Sequence, residues 1–198
     1  MMMGEVIETD DDAVELAVSA VGTAPIEAIE VRNGGRVVHT HRPFGDDDLG
    51  RCVKVIWSGA KVRGRDRIVS WDGRLRLRGN SIRRFEPINF WNPARGVRRT
   101  GRSALEWTSA TTGGLAGVIL HLDKPNAGTI EIDTAAHKCR CRVARVGIRP
   151  KTYSAGGLGK QIQIYRVPEP RKARRCEQVS FTFRVRKLAR RDNPLYVR

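Results

Sequence analysis

Apolar residues recur at every second position along most of this chain, and that period of two, far more than composition, limits what it can fold into. Val14, Leu16 and Val18 alternate with Glu15, Ala17 and Ser19. Cys52-Val53-Lys54-Val55-Ile56-Trp57 and Arg67-Ile68-Val69-Ser70-Trp71 repeat the pattern. Ile130 and Ile132, Cys139 and Cys141, Ile162 and Ile164, then Phe181, Phe183 and Val185 keep the same spacing. Successive side chains of a strand point to opposite faces, so alternation of this kind describes a strand with one face in a core. No segment of comparable length holds a helical period. Turn signals separate the runs: Asn33-Gly34-Gly35 supplies the positive-φ residues of a tight hairpin, Asp72-Gly73 and Gly79-Asn80 bracket a short strand at Leu75 and Leu77, and Pro125-Asn126-Ala127-Gly128 follows the apolar run Leu115–Leu122. Many short strands with turns between them predict an all-β fold, an antiparallel β-sandwich or a barrel-like architecture.

Residues 1–12 end in Asp10-Asp11-Asp12 without periodicity and read as a disordered acidic tail, with order from 13 to 198. Residues 92–103, rich in Gly, Pro and Arg, read as a loop that could divide the ordered part into two packed halves. At 198 residues the chain is long enough to bury a real core. No run reaches the roughly 18 apolar residues of a membrane span, and the acidic start does not resemble a signal peptide, so the expectation is a cytoplasmic protein without membrane contact. Cys52, Cys139, Cys141 and Cys176 are then expected as free thiols.

The net charge of +16 is distributed unevenly. Residues 1–48 hold three basic and eleven acidic residues, so the remainder carries +24, and arginine outnumbers lysine 29 to 8. The planar guanidinium fork suits phosphate and carboxylate oxygens. Arg140 and Arg142 alternate with Cys139 and Cys141, and Arg184 and Arg186 with Phe183 and Val185, so each pair presents cations on one strand face. These four are the candidate anion-binding residues, and they would form one patch if their strands were neighbours. The plain alternative is that the arginines only solvate strand faces. Any nucleic-acid or polyanion binding on this basis would be weak, non-specific and sensitive to salt.

The sites with catalytic outlines weaken on inspection. His39-Thr40-His41 has the form of a metal-binding pair but lacks organised carboxylates, since Asp46-Asp47-Asp48 sits in a loop-like run, and it reads as surface histidines near a strand end. Cys139 and Cys141 lack the turn that a Cys-x-x-Cys knuckle provides and read as core thiols. Gly156-Gly157-Leu158-Gly159-Lys160 fails as a phosphate loop because Ser154 replaces the first glycine, Gln161 replaces the magnesium-binding hydroxyl, and a strand follows. Trp57, Trp71, Trp91 and Trp107 are assigned to the core. No catalytic residue, metal ligand or cofactor is expected.

Several strings together resemble a known family: Pro25 to Gly34, Val55-Ile56-Trp57-Ser58-Gly59-Ala60 with Arg63-Gly64-Arg65, Trp71-Asp72-Gly73, and Pro87-Ile88-Asn89-Phe90-Trp91-Asn92. Trp107 with Thr111-Thr112-Gly113-Gly114, Gly156 to Lys160, and Asp192 to Arg198 continue the series. In this order they resemble the C-terminal region of the uncharacterised bacterial family of unknown function number 3604, which is described as similar to PHP-type metal-dependent phosphoesterases. That family's metal ligands are expected in an N-terminal domain, and none of its catalytic motifs carries over to this chain. The resemblance implies a non-catalytic accessory domain that supports or shields a hydrolase domain, here a separately encoded one. It also implies at least one more strand after Tyr196-Val197-Arg198, so the chain reads as a fragment, a split gene or a degenerate copy.

Overall fold

A computed structural model describes residues 6–188 and 192–198. Its strands run in chain order as β1 (Ala13–Val21), β2 (Ile29–Asn33), β3 (Arg36–His41), β4 (Leu49–Ala60), β5 (Val69–Ser70), β6 (Gly73–Arg78), β7 (Ile82–Ile88), β8 (Val97–Gly101) and β9 (Ala104–Trp107). They continue as β10 (Ala110–Thr111), β11 (Leu115–Leu122), β12 (Thr129–Thr134), β13 (Lys138–Arg142), β14 (Lys151–Ser154), β15 (Leu158–Pro168), β16 (Gln178–Arg186) and β17 (Leu195–Val197). One short helical turn, α1 (Pro170–Ala173), is the sole α-helix among the described residues. The fold is all-β, every strand pair is antiparallel, and no barrel closes. Of the tail expected over 1–12, residues 1–5 lie outside the described residues, while 6–12 carry no helix or strand and are exposed. Among the described residues no helix is long and apolar enough to cross a membrane.

Two compact units make up the chain. A terminal unit combines Met1–Phe44 with Pro170–Arg198, and a central unit spans Gly45–Glu169. The division therefore does not fall at 92–103. That segment lies inside the central unit and contains β8, whose Val97-Arg98-Arg99 pairs with β9. Its polar composition hid a strand because an edge strand with both faces largely exposed has no apolar alternation to display.

In the terminal unit β1 pairs with β16 along its whole length, from Ala13 opposite Arg186 to Val21 opposite Gln178. A second sheet has the order β17-β2-β3. The β2–β3 hairpin closes on Asn33 opposite Arg36, leaving Gly34 and Gly35 as the two turn residues. Gly34 takes a φ of 55°, a left-handed conformation that costs glycine nothing. Val18, Ile29, Val31 and Val179 form the core, with Leu16, Phe181 and Phe183 against it.

The central unit stacks two five-stranded sheets, ordered β14-β15-β4-β11-β7 and β13-β12-β6-β9-β8. Val53, Val55 and Trp57 of β4 meet Leu75, Leu77, Leu105 and Trp107 of the facing sheet in one apolar cluster, the arrangement of a sandwich. The Trp57 and Trp107 rings stack 4.6 Å apart across it. Buried indole N–H groups need acceptors. Trp57 Nε1 donates to Ser109 Oγ at 2.9 Å, Trp71 Nε1 to Thr111 Oγ1 at 2.9 Å, and Trp107 Nε1 to the Trp71 carbonyl at 2.6 Å. Of these acceptors Thr111 lies in the short β5–β10 pair, and Trp71 and Ser109 flank its two strands. Trp91 departs from the core assignment at 85% exposure. Phe90 beside it turns inward, edge-on to Trp57, and adjacent residues of an extended segment face opposite ways.

Arg166 of β15 is buried in this unit with no carboxylate partner among the described residues. Its Nε donates to the Val146 carbonyl at 2.7 Å, Nη1 to the Gly50 carbonyl, and Nη2 to the Pro125 and Val143 carbonyls and to Asn126 Oδ1. The guanidinium fork thereby ties β15 to the start of β4 and to the turns after β11 and β13. Burial holds its pKa below the ordinary arginine value.

Candidate functional site: a cationic sheet face

The outer face of the β13-β12-β6-β9-β8 sheet of the central unit carries ordered rows of charged side chains. On β13, Cys139 and Cys141 turn toward the core and Lys138, Arg140 and Arg142 turn out, as the alternation requires. The neighbouring β12 presents Glu131 and Asp133, β6 presents Arg74, Arg76 and Arg78, β9 presents Glu106, and β8 presents Arg98. Seven cations share this face with three carboxylates, an excess of four positive charges.

The sign alternates from strand to strand. Glu131 receives Arg78 at 2.7 Å and Arg140 at 3.4 Å; Asp133 receives Lys138 at 3.1 Å and Arg74 at 3.2 Å; Glu106 receives Arg98 at 2.8 Å. Lys138 foremost, and then Arg74, holds the Asp133 carboxyl below its ordinary pKa. Exposed pairs of this kind contribute roughly 0–1 kcal/mol each, so the guanidinium groups exchange partners readily. Arg76 and Arg142 have no ion pair or side-chain hydrogen bond among the described residues. Cations on β6 repeat about every 6.8 Å, and the β6 and β13 rows lie roughly 9.6 Å apart, the width of two strand spacings. At one end the face deepens into a cleft of about 910 Å³ lined by Arg74, Arg98, Lys138, Asp72, Glu106 and Asp133.

Arg184 and Arg186 belong elsewhere. β16 pairs with β1 in the terminal unit while β13 pairs with β12 in the central one, so the four candidate arginines do not form a patch of neighbouring strands. Each pair has its own surroundings instead. Arg184 and Arg186 line a separate cleft of about 810 Å³ with Arg36, Lys187 and Asp192.

His39 and His41 lie on one strand face and are half-buried. The His39 ring stacks on Phe183 at 4.0 Å and the His41 ring on Phe181 at 4.1 Å. Burial first, then the charge of His39, lowers the His41 pKa. Among the described residues no group of three or more His, Cys, Asp or Glu is arranged to hold a metal ion. The 156–160 glycines form the tight β14–β15 turn, with Gly156, Gly157 and Gly159 all at positive φ.

One constellation was not legible from sequence. On the other face of the β4–β11–β7 strands, Cys52 Sγ lies 3.3 Å from His121 Nδ1, and His121 Nε2 lies 2.7 Å from Glu86 Oε1, with Arg84 also on Glu86. The connectivity is that of a thiol–imidazole–carboxylate relay. A nucleophilic thiol needs a lowered pKa, however, and burial, reinforced by Glu169 and Glu86, pushes Cys52 up to about 11. Cys52 is 1% exposed. His121 directly opposite Cys52 is a register pair that only the fold reveals.

Comparison of the chain with protein-family models, with curated proteins and with solved structures gives no match in any of the three.

Proposed function

We propose that this chain is a non-catalytic β-rich accessory module that binds polyanions on the outer face of its β13-β12-β6-β9-β8 sheet. The observation that carries the reading is the set of seven exposed cations in rows on one sheet face, against three carboxylates already shared among them. Phosphate groups entering the rows would replace weak exposed carboxylate pairs and engage Arg76 and Arg142 directly. Such binding releases counterions and follows charge, with no base or sugar identity read by these contacts. The terminal-unit cleft with Arg184 and Arg186 supplies a second, independent anion site. A place beside a separately encoded metal-dependent hydrolase of the PHP type rests on the sequence resemblance, and the module would there hold a phosphorylated substrate or shield the hydrolase.

Titration of inorganic polyphosphate against the purified chain at low salt tests the reading. Binding in the non-specific range is expected, roughly 10⁻⁴–10⁻⁶ M at physiological salt. The double variant Arg76→Ser and Arg142→Ser should weaken it, and equal affinity of the variant and the native chain would remove the sheet face from the proposal.

A further inference from the structure

The 89–96 segment joins β7 of one central sheet to β8 of the other, and its two ends bear on different features. Its far end, Gly96, lines the 910 Å³ cleft at the edge of the cationic face together with Val97 and Arg98 of β8. Its near end holds out the Trp91 indole, 85% exposed. The turn between them is braced: Asn92 Oδ1 accepts the Ala94 N–H at 2.9 Å, the Asn92 carbonyl accepts the Arg95 N–H at 2.9 Å, and Asn89 Nδ2 donates to the Leu115 carbonyl at 3.0 Å. Phe90 is anchored against Trp57. The indole is therefore presented by an ordered turn whose other apolar ring is inside, and at most about 18 Å of chain separates Trp91 from Gly96 in the lining of the cleft that bears Arg74, Arg98 and Lys138.

We propose that the polyanion taken by this surface is single-stranded nucleic acid, with a base stacked on Trp91 and phosphates further along the same strand in the Arg74–Arg98–Lys138 cleft; this deepens the polyanion reading and rests on it. A single strand offers an open π-face to an aromatic platform, and stacking of this kind tolerates any base. A duplex keeps its bases inside the stack and would leave the indole unmatched. A bilayer surface is broad and flat, and would leave the cleft unfilled.

The tryptophans make the test direct. Trp57 and Trp71 are 0% exposed and Trp107 is 4% exposed, so quenching of solvent-exposed indole emission reports on Trp91. Oligothymidylate, its duplex form, inorganic polyphosphate and phosphatidylserine vesicles are titrated at low salt against the native chain, Trp91→Ala and Trp91→Phe. The expected result is quenching by oligothymidylate, affinity for it above that for the duplex, a loss of roughly 5- to 150-fold in Trp91→Ala from the usual stacking contribution, and substantial retention in Trp91→Phe. Polyphosphate affinity should be the same in all three proteins. Oligothymidylate bound by the native chain without quenching, and equally well by Trp91→Ala, overturns the proposal and leaves the polyanion reading standing. Tighter duplex binding, or emission that answers to vesicles and not to oligothymidylate, also overturns it. Failure of polyphosphate and oligothymidylate alike to bind at low salt overturns both.

Discussion

Replacing Arg166 by leucine removes a buried cation whose partners are almost all backbone carbonyls, and its cost can be worked from those partners. The side chain is part of a residue only 5% exposed and reaches the carbonyls of Gly50, Pro125, Val143 and Val146 together with Asn126 Oδ1. The Val143 carbonyl keeps a second donor, the Val146 N–H at 3.1 Å. Three carbonyls lose the charged donor outright. A buried polar group left unsatisfied costs about 1–3 kcal/mol, and removal of the guanidinium also relieves its own desolvation, so a net loss of about 3–5 kcal/mol is expected. For a unit of this size each kcal/mol moves the melting point by about 3–5 °C, giving a drop of about 10–20 °C. Thermal unfolding followed by circular dichroism measures it. Arg166→Lys should fall between the two, since a single ammonium cannot span the fork's separated acceptors. A leucine variant melting within about 2 °C of the native chain would refute the reasoning that this fork holds the sandwich end together.

Other outcomes follow from the same structure. Gly117→Ala places a Cβ about 2.2 Å from the Val55 carbonyl between two paired strands, and the overpacking should cost roughly 1–3 kcal/mol in a urea melt. The Cys52 and Cys139 thiols, pushed up to about 11 and about 12 chiefly by burial, should react with a disulfide reagent near neutral pH only after denaturation. His41 has a folded pKa below its ordinary 6.5, so the unfolded chain binds more protons in that window; its share of stability is present above pH 6.5 and lost as pH falls through the folded pKa. A urea midpoint that drops on acidification, and drops less in His41→Phe, is the expected result. Elemental analysis should find no stoichiometric zinc, manganese or iron, because both histidine rings of the 39–41 pair are engaged in stacking on phenylalanines.

The strands were legible wherever one face is buried, because alternation is the direct imprint of burial on a pleated chain. β1, β13 and β16 show it, and Cys139 and Cys141 point inward for that reason, whereas β4 is buried on both faces. β8 was not legible, since an edge strand of Val-Arg-Arg-Thr-Gly has nothing to alternate. Strand order is likewise absent from local pattern. β1 finds β16 across the intervening central unit, and β4 lies between β11 and β15, partners whose register follows from core packing. The cationic face was half visible for this reason. Arg140 and Arg142 could be placed outward, but their neighbours Arg74, Arg76, Arg78 and Arg98 enter only through the pairing of β12 with β6 and of β9 with β8. Trp91 was misassigned because hydrophobicity alone does not distinguish it from Phe90, and the segment's turn geometry decides which ring goes in.

The claim that the outer sheet face is the working surface is tested most directly by following arginine Nε–H resonances in a two-dimensional NMR titration with polyphosphate. The account predicts shifts at Arg74, Arg76, Arg78, Arg140 and Arg142 that fade together as salt is raised. Shifts confined to arginines off this face, with those five unmoved at saturation, would contradict it.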